Sequence, residues 1–171
     1  MSNQHFDIVV IGSGPGGYIA ALKAAQMGAN TAVVEQRHLG GTCLNFGCIP
    51  SKALLSSAEL LHSVQNADKW GLTVNGEVGF DWEQITKHKN KTIRQLRGGI
   101  AGLFKARKVT HLTGRGTLDA PGRVVVTPGD GPPQTVAADK VIIATGSAPI
   151  RIPGWPDDPA AVCTSDEAVH W

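Results

Sequence analysis

Cysteine is scarce in this chain: there are three among 171 residues, Cys43, Cys48 and the distant Cys163. Three thiols cannot make the disulfide framework that staples a small secreted domain. Charge of one sign is also missing, since 16 Lys and Arg face 14 Asp and Glu, leaving a net charge of +2. So mild an excess argues against a nucleic-acid partner. Long apolar runs are absent near the start, where MSNQHFDIVVIGSGPGG has no basic opening and glycines soon interrupt its apolar stretch. Neither a signal peptide nor a membrane span is expected, and a cytoplasmic setting follows as the default. A second C-x-x-C and a paired histidine motif are lacking too, so no metal site is expected. Internal repeats are not found. What remains is a chain with 42% hydrophobic residues, long enough for one domain with a real core.

Residues 6–11 (FDIVVI) read as a buried strand of a parallel sheet ending in glycines. Residues 18–27 have helical character, with Gly28 placed to close the helix, and residues 31–35 (TAVVE) read as a second buried strand. Together they form a βαβ opening. A helix is expected over about 50–64, with Pro50 in its first turn and Leu54, Ala58 and Leu61 on one face. A longer one is expected over about 82–106, with Ile93, Leu96, Ile100 and Leu103 at helical spacing. Lys87, Lys91 and Arg94 fall at helical intervals and read as its wet face. From 109 to 144 the stretches VTHLTG, RVVVT and KVIIAT are β-like and separated by Pro/Gly turns. The fold class is therefore α/β: a Rossmann-like parallel sheet with helices and a small antiparallel β meander inserted before its last strand. Residues 1–147 form this domain, and 148–171 begin as a proline-rich connector with no regular element. Beyond it, residues 164–167 (TSDE) resemble a helix N-terminus.

Gly12, Ser13, Gly14, Pro15, Gly16 and Gly17 satisfy G-x-G-x-x-G through Gly12, Gly14 and Gly17. The motif alone is weak; a strand before it, a helix after it and Glu35 ending the next strand make it strong. Gly12 permits the tight turn, Gly14 lets backbone N–H groups approach a pyrophosphate, and Gly17 lets helix and strand pack closely. The helix N-terminus adds partial positive charge. Glu35 would accept hydrogen bonds from an adenosine ribose. A dinucleotide is expected, and the loop does not distinguish NAD from FAD.

Cys43 and Cys48 lie five positions apart in GGTCLNFGCIPSKALL, residues 40–55. In a regular α-helix that spacing puts Cα atoms roughly 8–9 Å apart, whereas a disulfide needs less than about 7 Å. If the two bridge, the chain between them is not regular helix, and a distorted turn is expected over 44–47 with regular helix only after Pro50. Cys48 would then lie near a helix N-terminus, where the dipole and a cation such as Lys52 lower a thiol pKa. A zinc site would need His38 or His62 to complete four ligands; a structural disulfide would close too short a loop to stabilise much; two unpaired buried cysteines are the bland alternative. Redox use is the favoured one among them. Cys163 is assigned no role.

The same stretch closely resembles the redox signature of the flavin-dependent pyridine nucleotide-disulfide oxidoreductases. CLN-x-GCIPSKALL is similar to its dihydrolipoamide dehydrogenase branch rather than to glutathione or mercuric reductases, and GSGPGGYIAA and KVIIATGSAP resemble the family too. Phe46 departs from the pattern, standing where a small aliphatic residue is usual. The resemblance implies FAD held by the glycine loop and Glu35. It also implies Gly41 and Thr42 beside the disulfide, Gly116 near the adenine, and Ala144, Thr145 and Gly146 as a turn against the cofactor. It implies Cys48 as the flavin-proximal thiol, Cys43 as the interchange thiol that meets substrate, and Lys52 beside the flavin ring.

The activity so implied is oxidation of dihydrolipoamide, carried on a lipoyl domain of 2-oxo acid dehydrogenase or glycine cleavage systems, with NAD+ as final acceptor. Family members are homodimers of longer chains, with an NAD domain, a central domain and an interface domain bearing a His–Glu base. Only one G-x-G-x-x-G occurs here, so an FAD-binding portion, inactive by itself, is expected. A related disulfide reductase and a non-catalytic FAD-binding remnant are the alternatives.

Overall fold

The structure, a computed structural model, describes residues 4–156, 158 and 160–170. Met1, Ser2, Asn3, Asp157, Pro159 and Trp171, which the expected domain ranges include, lie outside the described residues. The expected βαβ opening is present as β1 (Gln4–Ile11), α1 (Pro15–Gln26) and β2 (Thr31–Glu35). β1 and β2 pair in parallel, with Val9 opposite Ala32 and Val10 opposite Val33. The helix that follows β2 in sequence is α2 (Gly41–Asn45), then α3 (Cys48–Gln65) and, after a single 3-10 turn at Ala67–Trp70, α4 (Trp82–Ala106).

Four strands complete one sheet: β3 (Thr110–Thr113), β4 (Arg115–Ala120), β5 (Arg123–Thr127) and β6 (Gln134–Ile143). Their order is β3-β2-β1-β6-β5-β4, parallel through the first four and antiparallel from β6 to β4. The THLT stretch is thus a parallel edge strand beside β2 rather than part of the meander. The meander instead uses β4, whose RGTLDA sequence gives little strand signal. It also uses the first half of β6, which is one ten-residue strand serving both parts.

Period-two alternation in the parallel strands sends side chains to two cores. Val9, Ile11 and Val34 pack with Val124, Val126 and Val136 under the meander, while Val10 and Val33 pack with Ala21, Leu44, Ile93, Ile100 and Phe104 of the helices. Each such valine contributes about 1.5–3 kcal/mol relative to exposure. Helices therefore cover one face and the folded-over meander the other. Gly116 marks how closely β4 crosses: a Cβ there would stand 2.8 Å from Ile11 Cγ2.

α4 begins on Asp81, whose side chain accepts from the Gln84 amide, and it tolerates Gly98 and Gly99 without interruption. Its buried stripe is Lys89, Ile93, Ile100 and Phe104. Leu96 and Leu103 lie outside that stripe and are exposed, because they sit about 60° around the axis from it. Lys87, Lys91 and Arg94 are exposed as expected, yet Lys89 between them turns inward and Nζ donates to the Val169 carbonyl at 2.5 Å. Burial holds its pKa below the ordinary lysine value. On α3, Leu54 and Leu61 are half-buried and Ala58 is exposed, so that face is only partly covered. Among the described residues, no regular element follows β6 until the short α5 (Ser165–Ala168), where the Thr164 amide donates to the Glu167 carboxylate.

Candidate functional site

The glycine loop sits where β1 ends and α1 begins, at the carboxyl edge of the parallel strands. Gly12 has φ +100°, and a Cβ there would stand 2.2 Å from the Ala144 carbonyl oxygen. Gly17 is equally constrained, since its Cβ would stand 2.0 Å from the Gly12 carbonyl oxygen. Gly14 is different: it is the N-cap of α1, and a Cβ there would meet nothing within 4 Å. Pro15 occupies the first helical position, and no acidic side chain lies in the first turn. The free N–H groups of that turn leave the loop positively polarised.

Glu35 closes the other side. Its Oε2 accepts from the Ser13 amide at 2.9 Å and the Ser13 hydroxyl at 2.7 Å, and its Oε1 accepts from the Arg37 amide at 2.8 Å. Ser13 is fully buried. The carboxylate is thus fixed in orientation before anything else approaches it.

Two adjoining hollows follow this edge, of about 320 and 340 Å³, sharing Gly12, Glu35, Gln36 and Thr145. The first is lined by Ser13, Gly14, Gly41, Thr42, Ala144 and Gly146, the second by Gly116. Ten expected cofactor residues thus line one continuous groove, with Pro15, Gly16 and Gly17 behind it in the first turn of α1. Arg37, His38, Arg115, Ser147 and Ala148 also line it and were not expected from the sequence. The one local signal for Arg37 is its place two residues beyond Glu35. A larger hollow of about 870 Å³ lies beyond His38 and Phe46, against α4, and contains none of the expected cofactor residues.

Thr42, in the groove, is followed by Cys43. Cys43 stands within α2 and Cys48 is the first residue of α3. The break between them is confined to Phe46 and Gly47, with φ −135° and −141°. Leu44 and Asn45 are helical and α3 starts two residues before Pro50, so the distortion is shorter than expected. Gly47 bends there with ψ −105°. The thiols are free in this structure; Cys43 is half-buried and Cys48 exposed. Hydrogen bonding with the Cys48 side chain, then burial, pushes the Cys43 thiol above its ordinary value, with Lys52 opposing weakly. Lys52 itself is exposed on α3, in a shallow hollow of about 390 Å³ with Ile49, His88 and Thr92. His38 and His62 join no group able to hold a metal among the described residues. Phe46, the departure from the pattern, lies under the Arg37 guanidinium at 4.3 Å and edge-on to His170 at 5.5 Å. Cys163 is half-buried and free.

A family model described as pyridine nucleotide-disulphide oxidoreductase matches residues 6–170. The chain belongs to this family. Within it, the chain is 44% identical over 166 residues to dihydrolipoyl dehydrogenase of Chlamydia muridarum, covering 95% of this chain and 35% of the relative. It is 43% identical over 173 residues to dihydrolipoyl dehydrogenase of Bacillus subtilis, covering 96% of this chain and 36% of the relative. The mitochondrial dihydrolipoyl dehydrogenase of Mesocricetus auratus is 42% identical over 166 residues. The chain spans about a third of the length of these curated relatives. As a member of this oxidoreductase family it has the expected fold, a Rossmann-like FAD-binding domain. No helix among the described residues is long and apolar enough to cross a membrane.

Proposed function

We propose that this chain is the FAD-binding, disulfide-bearing portion of a dihydrolipoyl dehydrogenase, with Cys43 and Cys48 as its redox pair. The observation that supports this most is the placement of two interacting thiols on successive helices, one residue beyond a groove suited to a dinucleotide. The open space over Gly14 and the unsatisfied N–H groups of α1 suit a pyrophosphate, and Glu35 suits a ribose. Gly41, Thr42, Ala144, Thr145 and Gly146 would line the path toward the cysteines, and Gly116 the opposite end. When bound, FAD would supply the two-electron acceptor that returns the reduced pair to a disulfide.

The chemistry of the chain's own residues is thiol–disulfide exchange. In the oxidised pair, a thiolate of the substrate dithiol attacks Cys43 Sγ, the Cys43–Cys48 bond breaks, and Cys48 leaves as thiolate. The second substrate thiol then attacks the mixed disulfide, releasing Cys43 as a thiol and the substrate as a cyclic disulfide. The Lys52 ammonium lies one turn along α3 from Cys48, where it would favour the negative charge that develops on that side. The longer protein would take NAD+ as final acceptor, act as a homodimer, and meet dihydrolipoamide on a lipoyl domain of 2-oxo acid dehydrogenase or glycine cleavage systems. A cytoplasmic setting fits the paucity of cysteines. Residues 1–147 would form the cofactor domain and 148–171 its connector.

Purified chain mixed with FAD tests this directly. Retained flavin absorbance after gel filtration, with a reductant-sensitive Cys43–Cys48 bridge in peptide mapping, is the expected result. Bound flavin without a bridge would leave only a cofactor-binding module.

A further inference from the structure

α2 is five residues long (Gly41–Asn45), too short to hold a helical conformation without outside support. Its last residue supplies that support. Asn45 is 2% exposed, and its side-chain amide uses all of its hydrogen-bonding capacity. Nδ2 donates to the Leu39 carbonyl at 3.0 Å and to the Gly41 carbonyl at 2.8 Å, tying the last residue of α2 to its first and to the chain just before it. Oδ1 accepts two bonds from Arg97, at 3.1 Å from Nε and 2.6 Å from Nη2. Arg97 comes from α4, 52 positions away in sequence, and is flanked on that helix by the core residues Ile93 and Ile100. A planar guanidinium fork on one oxygen fixes direction as well as distance.

Cys43 is two residues before Asn45 on the same short helix, whereas Cys48 belongs to the long α3. The position of the first thiol relative to the second therefore depends on what holds α2. We propose that Asn45 and Arg97 are positioning residues for the cysteine pair: α4, through the Arg97–Asn45 bond, holds Cys43 at bridging distance from Cys48. This rests on the redox function proposed above. Neither residue touches the reacting sulfurs. Their effect is to raise the effective concentration of one thiol at the other, which favours the disulfide over the dithiol.

The test is the thiol–disulfide equilibrium of the 171-residue chain in dithiothreitol buffers. There the pair takes up two electrons and two protons as dithiothreitol closes its own ring disulfide. The bridged fraction is read by alkylation and peptide mass in wild type, Arg97→Met, Asn45→Ala and the double variant, with melting temperature measured alongside. Arg97→Met and Asn45→Ala are expected to make the bridge at least tenfold easier to reduce, a rise of about 30 mV for this two-electron couple. Arg97→Met in the Asn45→Ala background is expected to add little, because the partner is already gone. Arg97→Lys, which keeps the charge and one donor, is expected to fall between, and serves as the readout if the larger changes impair folding. A wild-type bridge whose potential is unchanged in folded Arg97→Lys and Arg97→Met would overturn the positioning role and leave the redox function standing. A wild type that forms no bridge would overturn both.

Discussion

The Ser13 hydroxyl and the Ser13 amide both donate to one oxygen of Glu35, at 2.7 and 2.9 Å, across the tops of two adjacent strands. Ser13 is fully buried, so its donors have no water to turn to if the carboxylate is removed. Glu35→Ala is therefore expected to cost about 1–3 kcal/mol of stability, as for other stranded buried donors. Ser13→Ala removes a donor along with its need and should cost less, about 1 kcal/mol. Urea denaturation of the two variants checks the order; equal losses would mean that the bond to Ser13 is not what Glu35 supplies to the fold.

Cys43 gives a second test, in the reduced protein. Its thiol is raised above the ordinary 9.0 first by the hydrogen bond with the Cys48 side chain, then by burial. Cys48→Ala removes the first cause. The pH midpoint for iodoacetamide modification of Cys43, followed by peptide mass, is expected to move down toward the ordinary value in that variant. An unmoved midpoint would show that burial alone sets it.

Much of this site is legible in the sequence because its parts are local. The glycine loop, the strand before it and Glu35 fall within one βαβ unit, where spacing alone brings them together. The cysteines stand out by a five-residue spacing that a regular helix could not bridge, and by the resemblance of the stretch that carries them. What the sequence hides is contact across distance. Arg97 reads as one more cation on a helix, and only the fold brings it to Asn45. Lys89 reads as part of a basic run, but the helix phase set by Ile93 and Phe104 turns it inward to Val169. α2 is too short for a periodic signal, and β4 becomes a strand through pairing with β5 rather than through its own residues.

Stability should also depend on pH in two separate windows. Burial first, then Arg97 and Arg37, holds His38 below the ordinary 6.5, and burial does the same to His111. A base whose pKa is lowered in the fold binds fewer protons there than in the unfolded chain, so stability falls as pH drops through 6.5. Glu167, depressed from 4.5 chiefly by the Thr164 backbone N–H, acts lower: its contribution is present above 4.5 and lost as pH falls through the depressed value. Urea midpoints are expected to decline between pH 7.5 and pH 5.5, and His38→Asn with His111→Asn should flatten that limb while leaving the acid limb below about 4.5 in place. An unchanged upper limb in the double variant would assign it to other groups.

The glycine loop separates what the fold requires from what a ligand requires. Gly17→Ala would drive a Cβ to 2.0 Å from the Gly12 carbonyl oxygen, and neither backbone segment can retreat without breaking the β1–α1 junction. A loss of about 3 kcal/mol or more is expected. Gly16→Ala meets nothing within 4 Å in α1 and should hold or gain up to about 1 kcal/mol. Gly14 is the informative case. Its φ of −63° suits alanine and its Cβ would enter open groove, so the fold should lose no more than about 1 kcal/mol, the difference between glycine and alanine at an N-cap. A pyrophosphate seated on the α1 N–H groups would occupy that same space. Gly14→Ala is thus expected to melt within about 2–4 °C of wild type yet retain at most a tenth of the flavin after gel filtration, whereas Gly16→Ala should retain flavin far closer to wild type. Full retention by Gly14→Ala would place the dinucleotide elsewhere on the sheet edge.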